Sequence, residues 1–339
     1  MVIALVKDTP GKVLAGKYEL IERAGSGGMA VVWRGRTLGA AGFSRPIAVK
    51  RIVPHLATNP EFVAMFVEES RVVSELPHPA ITQIHDFAVD EHGHHFLVME
   101  WVEGVDLQEL IDHFVRQSQP TPWPIMTALA IEVLGGLGAA HDRKDHQGAS
   151  APIFHRDVTP HNIRVSAGGY VKLTDFGIAR AADRATMTRP DALKGKLSYV
   201  APEQLRGKPA SARTDLFCVG ICLWEALAGR RLFEAASDMQ VMFMVHEAKV
   251  PELRSVRPDL PENLAAAVHC ALSREPTDRF ETTHAMARAL ADVLRTTREP
   301  TDARTIAELV KQTKSPTNPD GTLRPRTEVL DLSELDEIE

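Results

Sequence analysis

The stretch from Ile153 to Arg180 constrains this chain more than any other. It reads I-F-H-R-D-V-T-P-H-N-I-R-V-S-A-G-G-Y-V-K-L-T-D-F-G-I-A-R. Two short apolar runs, Ile163–Val165 and Tyr170–Leu173, flank Ala167-Gly168-Gly169, a composition suited to a tight hairpin. Such a hairpin brings Asp157, Asn162 and Asp175 to one end of a rigid platform. Carboxylate and amide oxygens gathered at one spot suit Mg²⁺, a hard cation that shares its shell with phosphate oxygens. A hairpin with incidental polar residues is the plain alternative, and the triplets His155-Arg156-Asp157 and Asp175-Phe176-Gly177 in this order, a hairpin apart, argue against it.

The string resembles the catalytic loop and metal-binding loop of eukaryotic-like (Hanks-type) protein kinases, H-R-D-x-x-x-x-N followed by D-F-G. The resemblance implies an α+β, two-lobed protein kinase fold: an N-lobe with a five-stranded sheet and one helix, and a mainly helical C-lobe. It also implies ATP and Mg²⁺. Asp175 and Asn162 hold the metal in that reading, and Asp157 accepts or orients the substrate hydroxyl. His155 and Phe176, with Val73 and Ile84, match the stacked apolar column that joins the lobes in active kinases.

Other motifs follow in the family's order. From Tyr18 a strand leads into Gly25-Ser26-Gly27-Gly28-Met29-Ala30, then a second strand through Val31-Val32-Trp33. Glycines at such a turn let backbone N–H groups approach phosphates without a Cβ in the way. Ala30 stands where the G-x-G-x-x-G pattern has its last glycine. The strand Pro46–Ile52 carries Ala48-Val49-Lys50, and a lysine inside an apolar strand is either a snorkelling edge residue or a buried cation with a task. The resemblance assigns Lys50 to the α- and β-phosphates, with Glu69 as its partner and Glu68 as the fallback. Both acids fall on a helix opened by Asn59-Pro60 and closed by Pro77-His78-Pro79. Phe96–Val102 resembles the hinge between the lobes, with backbone groups of Glu100 and Val102 against adenine and Met99 as gatekeeper. Gly25, Gly27, Gly28, Val32 and Ala48 complete the expected nucleotide site.

After the hinge the apolar spacing turns helical over Leu107–Val115 and Ile125–His141. The segment Asp142–Phe154 is polar, longer than the family's usual connection, and shows no chemistry. Ile178–Tyr199 reads as an activation segment with Thr186 and Thr188 as phosphosites that Arg156 could dock, and Ala201-Pro202-Glu203 as its anchor. Asp215 opens a nearly all-apolar helix, and Arg279 matches the family's partner of Glu203. We divide the chain into a leader (1–17), N-lobe (18–101), C-lobe (102–296), an extra helix (297–313) and a disordered acidic tail (314–339), which has six acids and no base after Thr327. Thr327, after Arg324-Pro325-Arg326, is either a phosphosite for a phosphothreonine-reading partner or part of a featureless solubilising tail.

With 44% hydrophobic residues, a chain of 339 can bury a large core. A net charge of −6 spread along the chain gives no general attraction to nucleic acid or anionic membrane. Cys218 and Cys222 read as buried thiols, Cys270 joins no metal-ligand pattern, and Val2–Val6 is too short for a signal sequence. No run approaches the ~18 residues of a membrane span, so the expectation is a soluble cytoplasmic protein acting on protein substrates with serine or threonine hydroxyls. The rival is a pseudokinase scaffold that binds nucleotide without efficient transfer. Its usual signature is loss of residues equivalent to Lys50, Asp157 or Asp175, and all three are present.

Two further positions depart from the family. Serine/threonine kinases usually carry lysine two residues after the catalytic aspartate, where this chain has Thr159. They usually carry threonine where this chain has Lys196, in Gly195-Lys196-Leu197-Ser198-Tyr199. An exchange would preserve one ammonium and one hydroxyl beside Asp157; two unrelated substitutions, with Lys196 in solvent, are the alternative.

Overall fold

The computed structural model describes residues 8–27, 30–176 and 197–315. The N-lobe comprises β1 (Val13–Leu14), β2 (Tyr18–Ser26), β3 (Ala30–Thr37), β4 (Pro46–Ile52), α1 (Pro54–Ala57), α2 (Pro60–Ser74), β5 (Ile84–Val89) and β6 (His95–Glu100). Its antiparallel sheet runs β1-β2-β3-β4-β6-β5. Six strands replace the expected five, because the supposed leader supplies β1: Leu14 pairs with Tyr18 and is fully buried. A two-residue strand is too short to show a period of two.

The alternation of β4 and β6 sets the site. Ile47, Val49, Phe96 and Val98 face one way, into a cluster with Leu14, Leu20 and Trp33. Ala48, Ile52, Leu97 and Met99 face the other, against Phe62 and Phe66 of α2. With side chains alternating along a strand, Lys50 is directed to the second face. Asn59 caps α2 by accepting from the N–H groups of Glu61 and Phe62 at 3.0 and 3.2 Å, with Pro60 in the first turn.

The C-lobe begins with β7 (Gly104–Asp106), α3 (Leu107–Arg116) and α4 (Trp123–His141), then β8 (Ile163–Ser166) and β9 (Val171–Leu173). Strands β7-β8-β9 form a second sheet, and the pairing Ile163↔Leu173 places Asn162 and Thr174 at the same end. There follow α5 (Pro202–Leu205), α6 (Ala212–Ala228), α7 (Asp238–His246), α8 (Leu253–Val256), α9 (Glu262–Ala271), α10 (Thr283–Leu294) and α11 (Ala303–Lys314). By length and composition α4 could cross a bilayer, with a mean hydropathy of 1.4, contrary to the reading that no run approaches such a span. In the structure it packs against α6, α10 and β9. α11 lays Ile306, Leu309, Val310 and Thr313, spaced as one helical stripe, against the C-lobe beside β7 and α3.

Candidate active site

The two lobes meet where Lys50 reaches Asp175. The ammonium on β4 lies 2.7 Å from Oδ1 of the aspartate that follows β9, across 125 residues of sequence. Only 6% of Lys50 is exposed, which removes the snorkelling alternative. On α2, Glu69 is partly buried, whereas Glu68 is exposed and paired with Arg71 at 2.7 Å. Of the two acids, Glu69 is therefore the one on the enclosed side, but the expected Lys50–Glu69 pair is not formed: among the described residues the Lys50 ammonium pairs with Asp175 instead.

Ala48 and Met99 are buried on the cleft face, beside partly buried Val32. Glu100 donates its own N–H to Gln83 O at 2.9 Å, and its carboxylate pairs with Lys172 at 2.8 Å and accepts from the Gln83 N–H at 3.3 Å. Val102 is buried just beyond it. A Cβ built on Gly25 meets no atom within 4 Å, and one on Gly27 meets only Ala30 O at 4.0 Å. Nothing among the described residues requires glycine at these two places, in keeping with close approach by an outside group. Gly28 lies outside the described residues.

The Asp157–Asn162 loop is held from below. Asn162 Nδ2 donates to the Asp157 carbonyl at 2.7 Å and to Asp157 Oδ2 at 3.3 Å, which leaves its Oδ1 for a cation. With Asp175, two protein side chains then offer oxygen, and no group of three or more His, Cys, Asp or Glu among the described residues is placed to hold a metal. That sparse donor set fits Mg²⁺, which keeps water and substrate phosphate in its shell. Thr159 is buried in the same loop.

His155 is fully buried, and burial lowers its pKa. Its Nδ1 accepts from the Asp157 N–H at 3.2 Å and its Nε2 donates to Thr174 O at 2.8 Å, the pattern of a neutral ring. The ring packs on Phe176 with centroids 4.5 Å apart. Val73 and Ile84 wall the same narrow cavity as Phe176, so the four members of the expected column come together.

Two residues that are not glycine sit in the left-handed region here, Arg156 at φ 69° and Asp175 at φ 63°. Such backbone costs roughly 1–2 kcal/mol per residue and persists only where surroundings enforce it. At Arg156 the enforcer is Asp215, a residue whose role here the sequence reading missed. Its two carboxylate oxygens accept from the N–H groups of His155 and Arg156 at 2.9 and 2.8 Å, and His141 Nε2 lies 2.8 Å away. The helix α6 starts at Ala212, not at Asp215. A carboxylate in the first turn of a helix buried on every side was the available signal.

Glu203 and Arg279 form a buried two-pronged pair, both N–O distances 2.8 Å. Burial raises the Glu203 carboxyl, yet the Arg279 bonds outweigh it and hold the group below its ordinary value. Lys196, Thr186, Thr188 and Thr327 lie outside the described residues.

Comparison with protein families matches residues 18–290 to the protein kinase domain. Among curated proteins, the tyrosine-protein kinase MasK of Myxococcus xanthus is 38% identical over 82% of this chain and 43% of its own length. The serine/threonine-protein kinase PknL of Mycobacterium tuberculosis is 34% identical over 81% of this chain and 65% of its own. PrkC of Bacillus subtilis, also a serine/threonine-protein kinase, is 30% identical over 81% and 40%. The chain thus spans about two fifths to two thirds of the length of these relatives. Among solved structures, the PknI kinase domain of Mycobacterium tuberculosis superposes with a TM-score of 0.62 at 26% identity, covering 85% of this chain and 99% of that one.

Proposed function

Because this chain belongs to the protein kinase domain family, in its bacterial Hanks-type branch, we propose that it transfers the γ-phosphate of ATP to serine and threonine hydroxyls of protein substrates. The observation that carries the reading is the convergence of Lys50 with Asp175 next to the Asp157–Asn162 loop. No residue whose loss marks a pseudokinase is missing from that set. When bound, Mg²⁺ supplies charge neutralisation at the phosphates, with Asp175 and Asn162 as its protein ligands. Lys50 steadies the α- and β-phosphates, and Asp157, oriented by Asn162, accepts the hydroxyl hydrogen bond and directs the oxygen in line. Lys196 reaches the transferring phosphate or Asp157 in this reading, with Thr159 nearby.

Arg156 supports activation by phosphorylation: its Nε is buried with no hydrogen-bond partner among the described residues. A phosphate on Thr186 or Thr188 adds about −1.5 to −2 charges and three acceptors, suited to such a guanidinium. Thr327 is assigned in the same reading as a phosphosite for a phosphothreonine-reading partner, supported by the arginines before it.

Tyrosine as acceptor is the second reading. It is favoured by Thr159 in place of the usual lysine and by the similarity to a relative named a tyrosine kinase. Phosphoamino-acid analysis after reaction with γ-labelled ATP decides: phosphoserine and phosphothreonine support the first reading, phosphotyrosine alone the second.

A further inference from the structure

The polar segment between α4 and the His155-Arg156-Asp157 string is folded. Ala151 N–H donates to Arg143 O and Asp145 N–H to Ala149 O, both at 2.9 Å, with a bridge between Lys144 and Ser150. Asp145 Oδ1 accepts from the N–H groups of Gln147 and Ala149 and shapes the turn. From this turn Arg143 reaches the other lobe: its Nη2 donates to Glu75 Oε2 at 2.7 Å while its Nη1 donates to Ala151 O at 3.3 Å.

Glu75 is the residue that ends α2. The pair is shielded, with 15% of the Arg143 side chain and 29% of the Glu75 side chain exposed. The Arg143 bond is the main cause that holds the Glu75 carboxyl below its ordinary value. Arg71 at 3.4 Å and His146 at 3.9 Å also face this carboxylate.

A second contact holds the same end of α2. The turn after it rests on α4, where a Cβ on Gly136 would stand 3.3 Å from Ala80 O and one on Gly135 3.7 Å from the His78 ring. The other end of α2 is packed in the N-lobe through Phe62 and Phe66. The helix therefore spans two bodies, carried by one and gripped by the other. Glu69 lies between these anchors, about 9 Å along the axis from Glu75 at 1.5 Å per residue, so a small tilt of α2 displaces its carboxylate.

We propose that Arg143 is a positioning residue: through Glu75 it pins α2 to the C-lobe and holds Glu69 on the enclosed side of that helix, which makes residues 142–154 an interlobe strap. The proposal rests on the protein-kinase reading for its effect on rate and on α2 mobility for its structural part. Arg143→Glu, Glu75→Arg and the double reversal in the full chain test it, because reversal of both charges restores the pair without restoring either residue.

Each single reversal is expected to lower kcat by about three- to tenfold, the scale of one partly shielded ion pair, with KM for ATP changed by less than about twofold. Amide exchange in α2 should quicken, and the double variant should recover both. Arg143→Gln, which keeps a donor for Ala151 O, takes the place of a single variant that does not fold. Wild-type kcat and wild-type exchange in the single variants overturn the strap, as does a double variant no better than the singles. A melting temperature that drops while kcat and α2 exchange hold marks a merely structural pair and overturns it too. A silent wild-type protein in the transfer assay counts against the kinase reading, and exchange in α2 then decides the strap alone.

Discussion

The backbone N–H of Arg156 donates to Asp215 Oδ1 at 2.8 Å, and this bond holds the residue before Asp157 in a left-handed conformation. The Asp215 carboxylate is fully buried and also serves the His155 N–H and the His141 ring. Asp215→Ala strands the buried His155 N–H and the partly buried Arg156 N–H, and hydrogen bonds to a charged acceptor are worth about 1.5–3 kcal/mol each. We expect a stability loss of about 3 kcal/mol or more in urea unfolding, with a smaller loss for Asp215→Asn. A value within about 0.5 kcal/mol of wild type, the range of an ordinary surface change, would rule out this role.

The Glu203–Arg279 pair is enclosed, and Thr214 Oγ1 adds a third bond to Glu203 at 2.9 Å. Removing one partner of such a pair leaves an uncompensated buried charge, which costs about 3–5 kcal/mol. Arg279→Ala and Glu203→Ala should each lose about that much. Their double variant should lose less than the sum. Additive losses in the cycle would show that the two side chains are not coupled.

Acid sensitivity follows from His155. Burial depresses its pKa in the folded state, so between its ordinary value near 6.5 and that lower value the unfolded chain binds the extra proton. Stability is then complete above about pH 6.5 and falls as pH drops below it, at up to about 1.4 kcal/mol per pH unit from this one group. His78 and His85 are lowered by burial as well and add to the same slope. His155→Phe should flatten part of the decline between pH 6.5 and 5. An unchanged slope would show that His155 titrates alike in both states.

The C-terminal helix α11 lies beyond the residues matched to the family, 18–290, yet Ile306 and Val310 are buried in the C-lobe core. Ile306→Ala should cost about 2–5 kcal/mol, as large-to-small core changes do. Lys314 pairs with Glu103 on the surface just past the hinge, and Lys314→Ala should cost no more than about 1 kcal/mol. The reverse ranking in thermal or urea unfolding would mean that α11 is held by its charge and not by its apolar stripe.

Much of the site was legible because its signals are local. Lys50 announced itself as a cation in an apolar strand, and Asp157, Asn162 and Asp175 follow one another at short offsets around a hairpin. The contacts that hold these residues were not legible, since their partners lie far off in sequence. His155 and Asp215 are 60 residues apart, and Arg143 and Glu75 are 68. A polar insertion without periodicity carries no trace of the helix end it grips. β1 escaped notice for a different reason: two residues cannot display alternation, and only the tertiary burial of Leu14 reveals the strand.

The proposed exchange of roles between Thr159 and Lys196 leads to a kinetic expectation. Losing a cation where charge develops on the transferring phosphate should slow the chemical step while ATP still binds. Lys196→Met should therefore lower kcat well before it weakens ATP affinity. Wild-type kcat in that variant would place the ammonium in solvent.

Transfer of label from γ-labelled ATP, to the protein itself and to a generic basic protein, tests the central claim most directly. Wild-type protein should incorporate label in the presence of Mg²⁺, and Lys50→Met and Asp157→Asn should each reduce the rate by about 10²–10³-fold while unfolding at wild-type urea concentrations. Equal incorporation by wild type and both variants, or none by wild type, would contradict the assignment of this cleft to phosphoryl transfer.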